Sequence, residues 1–312
     1  MIYEPLTMIQ KNKTLIVVAG PTAVGKTAAA IELAKHYQTV VVSADSRQFF
    51  KEMSIGTAKP SEQELAAVKH YFIDSHSITE PFSVGDFEKQ GLALLDELFK
   101  THNQVVLAGG SGLYIKAICE GFDDLPTADP AIRERLNQEL EEKGIANLQQ
   151  QLQSVDPVYY NEVDLGNPQR IIRALEVFES SGKPFSSYRQ ATVNKRPFNI
   201  IKLALNLPRE VLYNRINHRV DLMVQQGLLA EVEALLPSRH LNALNTVGYA
   251  ELFDYFDGKT SLEKAIEMIK QNTRRFAKRQ LTWFRKDNAF HWFQASDANV
   301  LDQMTGTIDT VL

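Results

Sequence analysis

The sequence predicts an α/β protein: a parallel sheet flanked by helices, interrupted by a helical insertion. Three observations carry this reading. Residues 14–120 alternate short apolar runs with amphipathic segments, the rhythm of strand and crossover helix. The apolar run Leu15-Ile16-Val17-Val18-Ala19 passes directly into Gly20-Pro21-Thr22-Ala23-Val24-Gly25-Lys26-Thr27 and then into a helical stretch. Strand signals fade over residues 122–197, and residues 198–207 then restore an apolar run, as though the chain re-entered the sheet.

In order, strands are expected at 14–19, 39–43, 71–74 and 104–108, with helices at 26–36, 61–67, 83–100 and 112–120. The insertion is punctuated by Pro126, Pro130, Pro157, Pro168, Pro184 and Pro197. Its clearest helix has Asn167 as N-cap, Pro168 in the first turn, an apolar face of Ile171, Ile172, Leu175 and Phe178, and Gly182 beyond its end. After the strand at 198–207, helices are expected at 209–226, 228–236, 250–256 and 262–285, with a last short strand at 289–293. The core is thus 1–121 and 198–312, and the insertion 122–197.

Composition narrows the class. With 312 residues, 44% hydrophobic and 23% charged, the chain can bury a full core as a globular protein. The start, Met1-Ile2-Tyr3-Glu4-Pro5, lacks a basic, then apolar, leader, and no apolar run is long enough to span a bilayer. A cytoplasmic location, without membrane partners, is expected. Cys119 stands alone, which excludes an internal disulfide or a cysteine-based zinc site and suits a small buried hydrophobe. A net charge of −4 argues against coating nucleic acid over the whole surface. Yet Lys270, Arg274, Arg275, Lys278, Arg279, Arg285 and Lys286 put seven positive charges and no acid into 17 residues. That block has the footprint of a polyanion site, interleaved with Phe276, Trp283 and Phe284 for either base stacking or core packing.

Residues Gly20 to Thr27 fit G-x-x-x-x-G-K-[ST], a phosphate-binding loop. Glycines let backbone N–H groups turn toward a phosphate, Lys26 adds a point charge, and the Thr27 hydroxyl can ligate Mg²⁺. Taken alone, the loop suggests nucleotide binding, ATP included. Ligands of such sheets sit beyond the carboxyl ends of the strands, which directs attention to the loops there. Asp45, directly after the second strand, would face the phosphate loop if that strand neighboured the first, and could then act as a general base. An Asx turn or helix cap explains the same residue equally well. An ordinary P-loop enzyme also needs a carboxylate after a second strand to hold Mg²⁺. The strand at 104–108 ends instead in Gly109-Gly110-Ser111-Gly112-Leu113-Tyr114, and Asp74 is a poor substitute. Ser111 could bond to a reacting group or cap its helix. Arg215 and Arg219 share a helix face that either holds a pyrophosphate or faces solvent.

Together these segments resemble the bacterial tRNA dimethylallyltransferases, also called isopentenyl-diphosphate:tRNA transferases. The likeness runs over nearly the whole chain, through the phosphate loop, Ser43-Ala44-Asp45-Ser46-Arg47-Gln48, Ile55-Gly56-Thr57-Ala58-Lys59-Pro60 and the Gly109 to Tyr114 segment. It continues through Asn167-Pro168-Gln169-Arg170-Ile171-Ile172-Arg173, Val247-Gly248-Tyr249 and Ala277-Lys278-Arg279-Gln280-Leu281-Thr282-Trp283-Phe284-Arg285. The resemblance implies a P-loop NTPase-like core that transfers a dimethylallyl group from dimethylallyl diphosphate to N6 of adenosine 37 in tRNA. Gly20, Pro21, Thr22, Ala23, Val24, Gly25, Lys26 and Thr27 would hold the diphosphate, with Mg²⁺ on Thr27 and Arg219 assisting. Asp45 would accept the N6 proton. The strip Asp45, Ser46, Arg47 and Gln48 would hold the extruded base, an extrusion that any enzyme acting on a stacked base requires. Ser111, where the family commonly has threonine, keeps the hydroxyl of a tRNA contact. Gln169, Arg170, Ile171, Ile172 and Arg173 would grip the anticodon stem loop, with Arg133 as an added contact, and the enzyme is expected to be a monomer. Eukaryotic relatives carry a C-terminal zinc finger, for which this chain lacks the cysteines. Two rivals share the loop: a P-loop small-molecule kinase, disfavoured by the missing acid after Ala108, and a non-enzymatic RNA-binding protein, which leaves Asp45 and Ser111 without work.

Overall fold

The computed structural model describes residues 13–122, 125–126, 129–189 and 195–312; the reading of residues 1–5 lies outside them. The chain divides into two compact units, one running up to Glu120 and resuming at Lys195, the other Gly121–Asn194.

The first unit is built on a six-stranded parallel sheet of β1 (Thr14–Ala19), β2 (Val41–Ser43), β3 (His70–Tyr71), β4 (Gln104–Gly109), β5 (Asn199–Asn206) and β6 (Phe290–Gln294) in the order β3-β2-β4-β1-β5-β6. Every strand pair is parallel. β1 is fully buried because alternate side chains feed two different cores: Leu15, Val17 and Ala19 enter one, Ile16 and Val18 the other. An unbroken apolar run is therefore what a strand covered on both faces requires. Helices α1 (Lys26–His36), α2 (Glu62–Ala67), α3 (Val84–Thr101) and α4 (Gly112–Glu120) alternate with the first strands. Ser61 and Ser83 each close a capping box, with Glu64 and Asp86 respectively.

Strand order does not meet the condition set for Asp45. β2 does not neighbour β1; β4 lies between them, pairing Val17 with Leu107 on one side and Val42 with Leu107 on the other. Asp45 must therefore look across the end of β4 to reach the phosphate loop.

The second unit packs α5 (Pro130–Lys143), α6 (Ile145–Val155), α7 (Pro157–Glu162) and α8 (Pro168–Ser181). Its prolines start helices rather than break them: Asp129, Asp156 and Asn167 cap N-termini in which Pro130, Pro157 and Pro168 follow, where no N–H is needed. Ile171 and Ile172 are fully buried with Leu136, Leu148, Leu152 and Leu175. This corrects their expected place among RNA-contacting residues, because they form the unit's core and leave no side-chain surface for RNA.

The chain then returns to the sheet and continues through α9 (Arg209–Gln225), α10 (Leu228–Ala234), α11 (Ala250–Phe256) and α12 (Leu262–Phe284), and after β6 ends with α13 (Val300–Asp309). α13, which the sequence reading lacked, buries Met304 and Ile308 in the same core as Ile16 and Val18. Where the first unit's chain resumes, Arg196 caps the end of α4. It donates to the Ile118 carbonyl at 2.8 Å and the Ala117 carbonyl at 2.5 Å, and pairs with Glu88 at 2.7 Å. Lys202 on β5 pairs with Glu120, the last residue of α4, and with Asp287, each at 2.7 Å.

Candidate active site

The Gly20 to Thr27 segment lies where β1 turns into α1, at the carboxyl edge of the sheet. Gly20 has φ +142°, and a Cβ there would meet the Leu205 carbonyl oxygen at 2.7 Å. Neither the backbone angle nor the neighbouring strand admits a side chain. Gly25, at φ +109°, starts α1 with no side-chain cap, and no acid occupies the first turn. The helix N-terminus therefore presents its N–H groups and positive dipole end to an anion.

Lys26 Nζ turns back to donate to the Pro21 carbonyl at 2.8 Å. Burial pushes its ammonium down to about 8, against the attraction of Asp45 and together with repulsion from Arg219. Arg219, on α9, donates to Thr22 Oγ1 at 3.3 Å, while Arg215, one turn earlier, reaches the Val24 carbonyl at 3.4 Å. Burial also holds the Arg219 guanidinium below its ordinary value, opposed by Asp45. Of the two arginines that sequence left open, Arg219 is half-buried over the loop and Arg215 is exposed beside it.

Asp45 is both a turn former and a site carboxylate. Its Oδ1 accepts from the Arg47 N–H at 2.9 Å and the Gln48 N–H at 3.4 Å, an Asx turn, while its charge acts on Lys26 and Arg219. The two readings of the sequence are compatible because the turn uses one carboxylate oxygen. What lets Asp45 act across β4 is the Gly109-Gly110 ending of that strand. A Cβ on Gly109 would strike the Ala44 carbonyl oxygen at 2.2 Å, and one on Gly110 would lie 3.5 Å from Lys26 Nζ.

Ser111 does not cap its own helix through its hydroxyl; its Oγ accepts from the Ser46 N–H at 2.9 Å and ties the β4 end to the Asp45 turn. Arg47 is held below its ordinary range by burial, opposed by Tyr114 and Asp45, and its Nε is buried without a partner. Gln48 sits beneath the turn and donates to the Thr57 and Ala58 carbonyls at 3.3 and 3.0 Å. That second loop is anchored in turn by Glu231, which accepts from the N–H groups of Ser54, Ile55 and Gly56 and from the Tyr249 hydroxyl at 2.6 Å. Asp74 is not a metal carboxylate in waiting but the ion-pair partner of Lys59.

Sequence reasoning did not single out Gln280 or Glu231. For Gln280 the signal was available: it falls on the buried stripe of α12 with Ala277 and Phe284, and a polar residue there must find partners. For Glu231, on the short exposed-looking α10, no local pattern announces three backbone donors brought from residues 54–56.

The basic segment divides. Lys270 is engaged with Asp221 and Glu267 at 2.8 and 3.2 Å, and Arg274 with Asn217 at 2.5 Å, tying α12 to α9. Farther along, Arg275, Lys278, Arg279, Thr282, Trp283 and Lys286 line an open groove of about 400 Å³. Phe284 is core at 1% exposure, whereas Phe276 and Trp283 are 38% and 40% exposed.

In the second unit, Gln169 and Arg170 are exposed at the start of α8. Arg133 makes a two-point ion pair with the fully buried Glu176, which Arg173 also touches at 3.5 Å while donating to the Pro126 carbonyl. Arg133 thus ties α5 to α8, and Arg173 ties α8 to the chain at Pro126, as well as offering charge.

Among the described residues no cluster of three His, Cys, Asp or Glu side chains is placed to hold a metal. The Thr27 hydroxyl is half-buried in the phosphate-loop turn. No described helix is long and apolar enough to cross a membrane. Cys119 is buried, and burial pushes its thiol up to about 12.

Comparison with known proteins places the chain in a family. The family model of the IPP transferases matches residues 48–287. The tRNA dimethylallyltransferase of Christiangramia forsetii is 55% identical over 95% of this chain and 99% of its own, and that of Flavobacterium johnsoniae is 52% identical over 91% and 94%. Among solved structures, the full-length tRNA isopentenylpyrophosphate transferase of Bacillus halodurans superposes with a TM-score of 0.70 at 36% identity, covering 96% of each chain. A eukaryotic dimethylallyltransferase at 24% identity shares the fold, with a TM-score of 0.78 over 95% of this chain and 77% of its own. The phosphate loop, the missing second acid, the Asp45 turn and these matches have one common account: the chain is a member of the IPP transferase family.

Proposed function

We propose that this protein transfers a dimethylallyl group from dimethylallyl diphosphate to N6 of adenosine 37 in tRNA, releasing pyrophosphate. The observation that carries the reading is Asp45, whose turn Ser111 ties to the end of β4, a glycine-ended strand that itself supplies no acid, and whose charge bears on Lys26 and Arg219. Close relatives bear the name tRNA dimethylallyltransferase.

The N6 lone pair attacks the allylic carbon, the carbon–oxygen bond to the diphosphate breaks with its electron pair on oxygen, and Asp45 takes the N6 proton. A neutral exocyclic amine is a weak nucleophile, so alignment of carbon and nitrogen contributes as much as the base. Charge growing on the leaving oxygen meets Lys26, Arg219 and the N-terminus of α1. Mg²⁺ fits this site as an ion shared with the substrate: Thr27 supplies a hard oxygen ligand, and such an ion keeps waters and phosphate oxygens for its other positions. When bound, it adds positive charge at the departing diphosphate. Asp45, Ser46 and Arg47 would line the place of the extruded base, with Gln48 bracing that strip and the Ser111 hydroxyl beside it. The exposed Gln169 and Arg170, the partly engaged Arg133 and Arg173, and the basic groove of α12 are assigned to the RNA. The groove offers cations for phosphates and an exposed indole for a base or ribose. The protein would work in the cytoplasm, as a monomer.

The test is incubation with Mg²⁺, unmodified tRNA and labelled dimethylallyl diphosphate, beside a reaction containing ATP alone. Label in the RNA with no ATP consumption supports the transferase. ATP-dependent phosphorylation of a small molecule without RNA labelling would replace it with the kinase reading.

A further inference from the structure

Gln280 lies about one turn before the end of α12, 6% exposed, with its amide spanning two loops that carry the chemistry. Its Oε1 accepts the Thr22 N–H at 2.8 Å, and its Nε2 donates to the Gly110 carbonyl at 2.9 Å. We infer that Gln280 is a positioning residue for transfer, holding the phosphate loop in the register that the Asp45 turn requires. The inference rests on the transferase reading and goes beyond it, because Gln280 reaches no reacting atom itself.

Gln280 joins two chains of contact. On one side, Thr22 belongs to the phosphate loop, and its hydroxyl receives Arg219. On the other, Gly110 precedes Ser111, whose hydroxyl fixes Ser46 next to Asp45. One amide thus sets the separation between the group that holds the leaving oxygen and the group that accepts the proton. A primary amide suits the pair of partners, one a donor and the other an acceptor, because it carries one group of each kind on the same rigid plane. A carboxylate cannot donate to Gly110, an ammonium cannot accept from Thr22, and a methionine cannot donate and accepts only weakly.

The surroundings show that the side chain is seated with little slack. A Cβ on Gly110 would stand 2.3 Å from Gln280 Nε2, and a Cβ on Gly112 would stand 2.2 Å from Trp283. Gln280 and Trp283 are neighbours on one face of α12, so the helix rests on two positions without side chains after β4. Shifts of about 1 Å in such an alignment cost rates of order a hundredfold in enzymes generally. Loss of the bridge should therefore appear in turnover before it appears in binding.

The experiment compares wild type, Gln280→Met, Gly110→Ala and the double variant Gln280→Met/Gly110→Ala. Each is measured for single-turnover transfer at saturating dimethylallyl diphosphate and tRNA, with rates normalised to active sites counted by stem-loop binding. Affinities for inorganic pyrophosphate and for an unmodified anticodon stem loop are measured alongside. Expected results are a fall of at least about tenfold in rate for Gln280→Met, both affinities within about threefold of wild type, and a double variant no slower than the slower single one, as for two residues acting through one contact. A Gln280→Met rate within threefold of wild type, a loss fully explained by weaker pyrophosphate or stem-loop binding, or rate losses that multiply in the double variant would each overturn the positioning role. Failure of wild type itself to label tRNA would instead remove the transferase reading, so the two failures are distinguishable.

Discussion

Ser111 Oγ accepts the Ser46 backbone N–H at 2.9 Å, which makes the end of β4 the support of the Asp45 turn. Ser111→Ala should leave that N–H without its partner, lower stability by about 1 kcal/mol and slow transfer about tenfold as the carboxylate drifts. Ser111→Thr should keep the acceptor and most of the rate. Denaturant unfolding and single-turnover kinetics on the pair check this. A slow threonine variant would mean that the added methyl, rather than the hydroxyl, governs the position.

Asp45→Asn separates the two duties of Asp45. The amide oxygen can still accept from the Arg47 and Gln48 N–H groups, so the turn survives. The base does not, and transfer should fall by about 10² to 10⁴, the usual contribution of a positioned base. Stem-loop affinity, measured by filter binding, should stay within a few fold. Wild-type rates in this variant would remove Asp45 from the proton transfer.

Lys26 supplies a pH signature. Burial lowers its ammonium to about 8, so below that pH the free protein presents a cation to an incoming diphosphate and above it an increasing share of neutral amine. Pyrophosphate affinity should be full below pH 8 and decline as pH rises through it. Binding favours the charged form, so near pH 8 to 9 the complex should take up protons. Calorimetry in two buffers of different ionisation enthalpy reads that uptake, which should vanish in Lys26→Met.

In the helical unit, two arginines should behave differently. Arg133→Ala leaves the fully buried Glu176 with only the longer Arg173 contact, and should destabilise that unit by about 1 to 2 kcal/mol, less than for a fully buried pair because Arg133 is itself half exposed and Arg173 remains. Arg170 is exposed, so Arg170→Ala should leave stability unchanged while reducing the slope of log affinity for tRNA against log salt by about 1. Thermal unfolding and a salt titration tell them apart. An unchanged slope for Arg170→Ala would make that residue a bystander.

Much of the core was legible because local chemistry specifies it. The Leu15 to Ala19 run, the glycines of the loop and the Asn167 cap each announce their element without help from distant residues. Helix α1 begins and ends where the sequence places it, and α4 and α11 do as well. Strand order was not legible: nothing in Thr39 to Ser43 says that β4 will come between it and β1, since the pairing partner is chosen by the crossover helices. β3 shrank to His70–Tyr71, and Asp74 beyond it has φ +50°, a turn conformation unsuited to a strand. In the site, Asp45 was identifiable from its place after a strand, but its access to Lys26 depends on the missing side chains at 109 and 110. Ile171 and Ile172 show the opposite limit. A motif matched as one block mixes residues that face outward with residues that make the core, and only the helix period separates them.

Arg196 and Lys202 fasten the chain where it leaves the α/β unit to where it comes back. The first holds the final carbonyls of α4, and the second holds Glu120 from β5. With both ends stapled within one unit, the sheet does not rely on residues 121–194 to bring them together. That segment is a cassette on a closed frame. It should tolerate replacement by a short linker while the frame that carries Asp45 and Lys26 still folds, an outcome that circular dichroism and thermal unfolding of such a chain would read.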